Sequence, residues 1–158
     1  MNFAVSDKLK KQIKVEFEQL EYLLNTYEPL LKKCISESLD PIEISALAAM
    51  LHAFYTGIEN IFKRVSTELD GGLPKTEIWH RTLLNAMALP GPIRPPVISQ
   101  NLKDALRGYL DFRHVFRHAY TFDLRWAKMA GLVGECNKTY RKLKEDITAF
   151  FIQIDKSK

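Results

Sequence analysis

The stretch Asp40-PIEISALAAMLHAFYTGIENIFKRVSTEL-Asp70-Gly71-Gly72 decides the fold. Asp40 can cap a helix, Pro41 fits its first position, and Glu43 stands three residues after the cap, where its side chain can return to the cap N–H. Ile44, Leu47, Leu51, Phe54, Ile58, Ile61, Phe62 and Val65 follow at three- and four-residue spacings, the apolar stripe of a helix with a buried face. Asp70-Gly71-Gly72 stops it. A helix this long cannot bury its stripe alone, so partner helices must flank it.

Upstream, Ile13, Phe17, Leu20, Leu24, Tyr27 and Leu31 predict a helix from about Asp7 to Ser36, with a kink or local break at Pro29. Downstream, Leu73-Pro74-Lys75 connects to a short helix over about Thr76–Met87, carrying Ile78, Trp79, Leu83 and Leu84. Pro90, Pro92, Pro95 and Pro96 then fall within seven residues and impose a rigid loop. Ser99 is a good cap for a fourth helix reaching about Phe122, and a fifth runs from roughly Asp123 to Asp155, with Gly131-Leu-Val-Gly134 as a candidate break. There is no strand-like alternation, internal repeat or low-complexity tract. The expected architecture is all-α: an up-and-down bundle of four long helices plus a short one, one domain over residues 1–158.

Bulk properties narrow the function classes. At 158 residues, with 46% hydrophobic and 27% charged residues, the chain can bury a core without staples and is not compositionally disordered. The net charge of +4 leans toward a polyanionic partner. Cys34 and Cys136 have neither zinc-site nor disulfide-framework spacing and read as reduced thiols. The opening MNFAVSDKLKKQ lacks the apolar core of a secretion signal, and no apolar run is long enough to span a membrane, so a cytoplasmic protein is expected.

Polar chemistry concentrates in Asp111-Phe-Arg-His-Val-Phe-Arg-His-Ala-Tyr120, inside the fourth helix. Leu102, Leu106, Tyr109, Phe112, Phe116 and Ala119 form its apolar stripe, with Arg113 and Tyr120 beside it. His114 and His118 lie one turn apart on a neighbouring face. Arg113 and His118, five residues apart, are separated by about 140° around an ideal helix. Two copies of the helix meeting across a two-fold axis would bring paired arginines and histidines into one cleft. Such a set suits RNA cleavage by the RNA's own 2′-hydroxyl. Histidine can take and give protons near neutrality, and arginine can hold phosphate oxygens two at a time. The same residues would equally make a solvated basic helix face.

Arg113-His-Val-Phe-Arg-His118-Ala-Tyr120 matches the pattern R-x-x-x-x-H-x-Y and resembles the HEPN superfamily, in particular its HepT-like toxins. Tyr55-x-x-Ile58-Glu59-x-x-Phe62, Glu77-x-Trp79-His80-x-x-Leu83-Leu84, the loop ending in Arg94-Pro95, and Tyr109-Leu-Asp-Phe-Arg-His extend the resemblance over roughly residues 40–150. The resemblance implies a bundle that dimerises through the motif-bearing helix, with the active site between the two copies. It implies a metal-independent endoribonuclease toxin that needs no cofactor. Its partners would be an RNA substrate and a minimal nucleotidyltransferase antitoxin, which transfers AMP onto the motif tyrosine. Carried onto this chain, Arg113 binds phosphate and stabilises charge, His118 is the general acid or base, and Tyr120 is the modified residue.

The motif assigns no role to His114 and Arg117, which either bind RNA phosphate or are solvated charges. Asp111 either orients Arg113 or is exposed; Glu59 either approaches Arg113 from the side or makes an ordinary intrabundle ion pair. His80, beside Trp79, is expected to be a packing histidine rather than a ligand, and Phe112 and Phe116 interface core rather than base-stacking platforms. The alternative function is a non-catalytic HEPN module that holds nucleotide or a nucleotidyltransferase.

Overall fold

The computed structural model describes residues 3–120 and 124–157. Six helices follow one another: α1 (Phe3–Thr26), α2 (Glu28–Ser36), α3 (Pro41–Leu69), α4 (Trp79–Met87), α5 (Gln100–His118) and α6 (Trp126–Lys156). The single first helix expected from the stripe is two helices. The chain turns at Tyr27, and Pro29 sits in the first turn of α2, where its missing N–H costs nothing. No strand occurs among the described residues.

The central helix forms for the local reasons read from its sequence. The Asp40 carboxylate accepts from the Glu43 N–H at 2.8 Å, and the Asp40 N–H donates to Glu43 Oε1 at 3.0 Å, a complete capping box. Glu43 Oε2 also accepts from Lys33 Nζ at 2.7 Å, tying α2 to the start of α3. At the other end Gly71 and Gly72 take φ values of +80° and +131°, and the Gly72 N–H reaches the Ser66 carbonyl.

Cross-links between elements give the topology. Lys8–Glu68, Arg64–Glu16 and the approach of Leu20 to Gly57 set α1 antiparallel to α3. Arg113–Glu59 and Phe116–His52 do the same for α5 on α3. Tyr109 donates to the Leu132 carbonyl, and Asp146 accepts from the Ser99 N–H, so α6 runs back along α5. Lys10–Asp155 and Lys144–Glu21 close α6 onto α1. The result is an up-down-up-down bundle of α1, α3, α5 and α6, with α3 buried along its length. Leu47, Phe54, Ile58, Ile61, Phe62 and Val65 are fully buried, each contributing about 1.5–3 kcal/mol of apolar burial.

Two boundaries depart from expectation. The fourth predicted helix, α5, ends at His118 instead of continuing, because Ala119 turns extended (φ −107°, ψ 147°). The expected junction at Phe122–Asp123 lies outside the described residues. The last helix, α6, is unbroken at Gly131–Gly134, since Met129, Val133, Cys136, Tyr140 and Leu143 keep its buried stripe continuous across both glycines. Burial pushes the Cys136 thiol up to about 11, holding it protonated.

Glycine substitutions divide by surroundings. A Cβ at Gly131 or Gly134 meets nothing within 4 Å, so each alanine variant should raise stability by about 0.5–1 kcal/mol. A Cβ at Gly57 would stand 2.6 Å from Leu20 Cδ2 in the α1–α3 contact. There the overpacking cost of about 1–3 kcal/mol exceeds the helix-propensity gain. Urea unfolding of the three variants checks the opposite signs; a more stable Gly57→Ala would show that α1 and α3 are not closely apposed.

The proline loop is held by a buried cation. The Arg94 side chain is 1% exposed, and its fork grips Asp70 with Nε to Oδ1 at 2.8 Å and Nη2 to Oδ2 at 2.7 Å. The same guanidinium donates to the Leu89, Pro95 and Ala86 carbonyls. Because Asp70 ends α3 and Ala86 is in α4, this one side chain fixes α4 against the bundle. That positions the first turn of α4, which lies at the candidate site.

Candidate active site

Glu59 sits among the core-facing residues of α3 and is 1% exposed. A carboxylate removed from water is costly unless its oxygens are bonded. Both are: Oε1 accepts from Arg113 Nη1 at 2.8 Å and Oε2 pairs with His80 Nδ1 at 2.7 Å. Since a carboxylate only accepts, the shared proton belongs to His80 Nδ1. Glu59 thus joins α4 and α5 through their polar residues. His80 stacks on Trp79, with ring centroids 3.7 Å apart and planes 28° apart, and Lys63 Nζ lies 5.1 Å from the Trp79 centroid.

A groove of about 660 Å³ opens between the turn entering α4 and the outer side of α5. Arg81, Arg113 and Arg117 line it with His80 and His114, against only two acids, Glu77 and Asp111. Ile78, Leu110 and Val115 supply apolar wall. The Arg81 Nη2 to Asp111 Oδ1 distance is 4.0 Å, a loose surface pair. Among the described residues the only bond of the Arg113 guanidinium uses Nη1, so its Nε–Nη2 edge remains for a ligand.

The far side of α5 borders a second groove, of about 390 Å³, which Arg125 and Lys128 line together with Phe112, Leu124 and Leu132. Asp111 and Val115 border both grooves, so the exposed side of α5 is a ridge between them. His118, the last residue of α5, is exposed, and its ring lies 4.6 Å from that of His114. It does not line the groove that holds Arg113. Tyr120 follows two residues beyond the helix end and is 73% exposed.

His52, two helical turns before Glu59 on α3, packs against Phe116 at 4.9 Å between centroids. Its Nδ1 is buried with no hydrogen-bond partner among the described residues. Burial, then the Arg113 and Arg117 charges, push its pKa below the ordinary histidine value, which keeps the ring neutral. The Tyr55 hydroxyl, three residues on, is also buried without a partner among the described residues, and burial drives its ionisation strongly upward.

Residues 46–154 match the family described as HepT-like protein. The chain belongs to the HepT-like family. The HepT-like match spans α4, α5 and almost all of α3 and α6, so it takes in Glu59, His80, Arg113, His118 and Tyr120 together. No curated protein and no solved structure matches the chain.

In this HepT-like protein the motif residues fall into separate groups. Asp111, Arg113, His114 and Arg117 line one groove with Glu59 buried behind Arg113, His118 stands on the ridge beside it, and Tyr120 lies past the helix end. Asp111 is exposed and sits near Arg81; the carboxylate that Arg113 bonds is Glu59. Phe112 is buried and Phe116 half-buried within the chain's own bundle. Sequence reasoning missed Arg81 and His52 and gave His80 a packing role. The spacing did hold a signal: His52 precedes Glu59 by seven residues, two helical turns, and so shares its face. Among the described residues no three His, Cys, Asp or Glu side chains cluster to hold a metal, and no helix is long and apolar enough to cross a membrane.

Proposed function

We propose that this HepT-like chain is a metal-independent endoribonuclease toxin of a toxin–antitoxin pair, acting as a homodimer. One observation carries the reading: Arg113 leans on a buried carboxylate and lines a groove with Arg81, Arg117 and two imidazoles. Three guanidinium groups beside imidazoles suit a phosphodiester, whose charge grows in the transition state. Arg113 and Arg117 hold the scissile phosphate and its neighbours, and His118 serves as general acid or base.

Dimerisation supplies what one chain separates. His118 faces outward on the ridge of α5 and Arg113 faces the groove beside it. A second copy laid along that ridge, across Val115, brings its own His118 toward the first copy's arginines. Control of the toxin lies at Tyr120, which is exposed beyond the helix end and so reachable by a nucleotidyltransferase. There the tyrosine Oη attacks the α-phosphorus of ATP, pyrophosphate leaves, and the phenolic proton passes to solvent or base. AMP on Tyr120 then sets a phosphate where RNA phosphate must enter.

Two measurements test this. RNA cleavage by the purified chain should persist in excess EDTA; loss with EDTA and recovery with a divalent cation would assign the chemistry to a metal instead. Co-expression with a minimal nucleotidyltransferase should add one or more AMP masses to the Tyr120 peptide. An unmodified peptide in a silenced complex would place control elsewhere.

A further inference from the structure

We propose that His80, oriented by Glu59, is a second proton-transfer group of the RNA-cleaving site, taking the proton from the attacking 2′-hydroxyl. The inference rests on the ribonuclease reading and adds a residue that the R-x-x-x-x-H-x-Y motif does not contain.

The geometry is that of a carboxylate–imidazole dyad. Glu59, with a side chain 2% exposed, accepts the hydrogen bond of the His80 Nδ1–H at 2.7 Å. This fixes the tautomer and leaves the Nε2 lone pair as the basic end. Trp79 covers one ring face at 3.7 Å, so the ring cannot turn freely. His80 keeps 29% of its side chain exposed, and the surface it presents is wall of the groove that holds Arg113, Arg117 and His114. A histidine that only satisfied a buried carboxylate would have no need to line that groove.

The arrangement also answers a requirement of the chemistry. In-line cleavage takes a proton from one side of the phosphorus and delivers one to the other. His80 reaches the groove from α4, while His114 and His118 stand on α5. A phosphate on the Nε–Nη2 edge of Arg113 therefore has imidazoles on two walls. In the step, His80 Nε2 takes the 2′-hydroxyl proton, and the 2′-oxygen bonds to the adjacent phosphorus. The bond from phosphorus to the 5′-oxygen breaks, and that oxygen takes a proton from the imidazolium of the second copy's His118. The products are a 2′,3′-cyclic phosphate and a 5′-hydroxyl, with one proton gained at His80 and one lost at His118. Glu59 stabilises the imidazolium that forms on His80, and its second oxygen holds Arg113 to the phosphate through the same event.

The test uses the purified full chain and a labelled mixed-sequence oligoribonucleotide, with kcat and KM measured separately. His80→Asn keeps an N–H donor where Nδ1 stands and removes Nε2, so a packing role survives it and a proton-transfer role does not. Its kcat should fall about 100-fold or more with KM and melting temperature near those of the parent. His80→Ala should lose the same activity, and added imidazole should restore part of it. A His80→Asn variant as fast as the parent, or a slow His80→Ala that imidazole leaves unchanged, overturns the dyad while the parent's own cleavage keeps the ribonuclease reading. No cleavage by the parent overturns both.

Discussion

Arg113→Lys should leave the chain folded and lower the proposed RNA cleavage by about 100- to 1,000-fold, and expression of the variant should no longer arrest bacterial growth. The magnitude is that of removing one well-placed donor from a developing oxyanion. Lysine keeps a charge that can reach Glu59 but loses the planar fork, and with it the Nε–Nη2 edge free for phosphate. The fold is spared because Glu59, 1% exposed, keeps His80 as one partner and gains an ammonium as the other. Arg113→Ala is a poorer test, because it leaves part of a buried carboxylate unpaired. That defect costs toward the low end of about 3–5 kcal/mol and would confound activity with stability. His118→Ala, at an exposed helix end, should abolish growth arrest with no loss of stability. If Arg113→Lys and His118→Ala both remain as toxic as the parent, the catalytic assignment is wrong.

Arg94→Ala should destabilise the chain strongly. It strips the partly buried Asp70 carboxylate of two charge-assisted bonds and removes the side-chain donor of the Leu89 and Pro95 carbonyls; the Ala86 carbonyl keeps the Leu89 N–H. Breaking a buried pair in this way costs about 3–5 kcal/mol. For a chain of this size that lowers the melting temperature by roughly 6–20 °C. Arg94→Lys should not rescue it, since one ammonium cannot replace a fork that serves both oxygens of Asp70 and three carbonyls. Thermal unfolding followed by circular dichroism reads the shift; an Arg94→Ala chain melting within about 1–2 °C of the parent would mean that the loop is not what locks α4. A functional consequence follows, because α4 carries His80 and Arg81 into the groove. Partial loss of cleavage below the melting transition is therefore expected as well.

Local rules account for most of what the sequence revealed. The capping box at Asp40–Glu43, the Ser99 cap, the break near Pro29 and the glycine stop after Leu69 each depend on residues within one or two turns. Gly131 and Gly134 were ambiguous because glycine weakens a helix without forbidding it, and the buried stripe from Met129 to Ile154 decided the outcome. The end of α5 was overrun because Ala119 and Tyr120 continue an acceptable helical pattern.

At the site, the motif was legible as a string, and its surroundings were not. Glu59 stands 21 residues from His80 and 54 from Arg113, and only packing brings the three together. The available clue was physical: a glutamate inside an apolar stripe must find partners. Arg94 was hidden for the same reason. It looked like part of a proline loop, and Asp70 looked like a helix stop, until their pairing made one anchor of them.

Mixing subunits that carry Arg113→Lys with subunits that carry His118→Ala tests the shared cleft most directly. Each homodimer should be inactive. A heterodimer, its assembly verified by native mass, brings the intact arginine of one copy to the intact histidine of the other, and cleavage should return to a substantial fraction of the parental rate. Verified heterodimers as inactive as either parent variant would contradict the claim that two copies build the site.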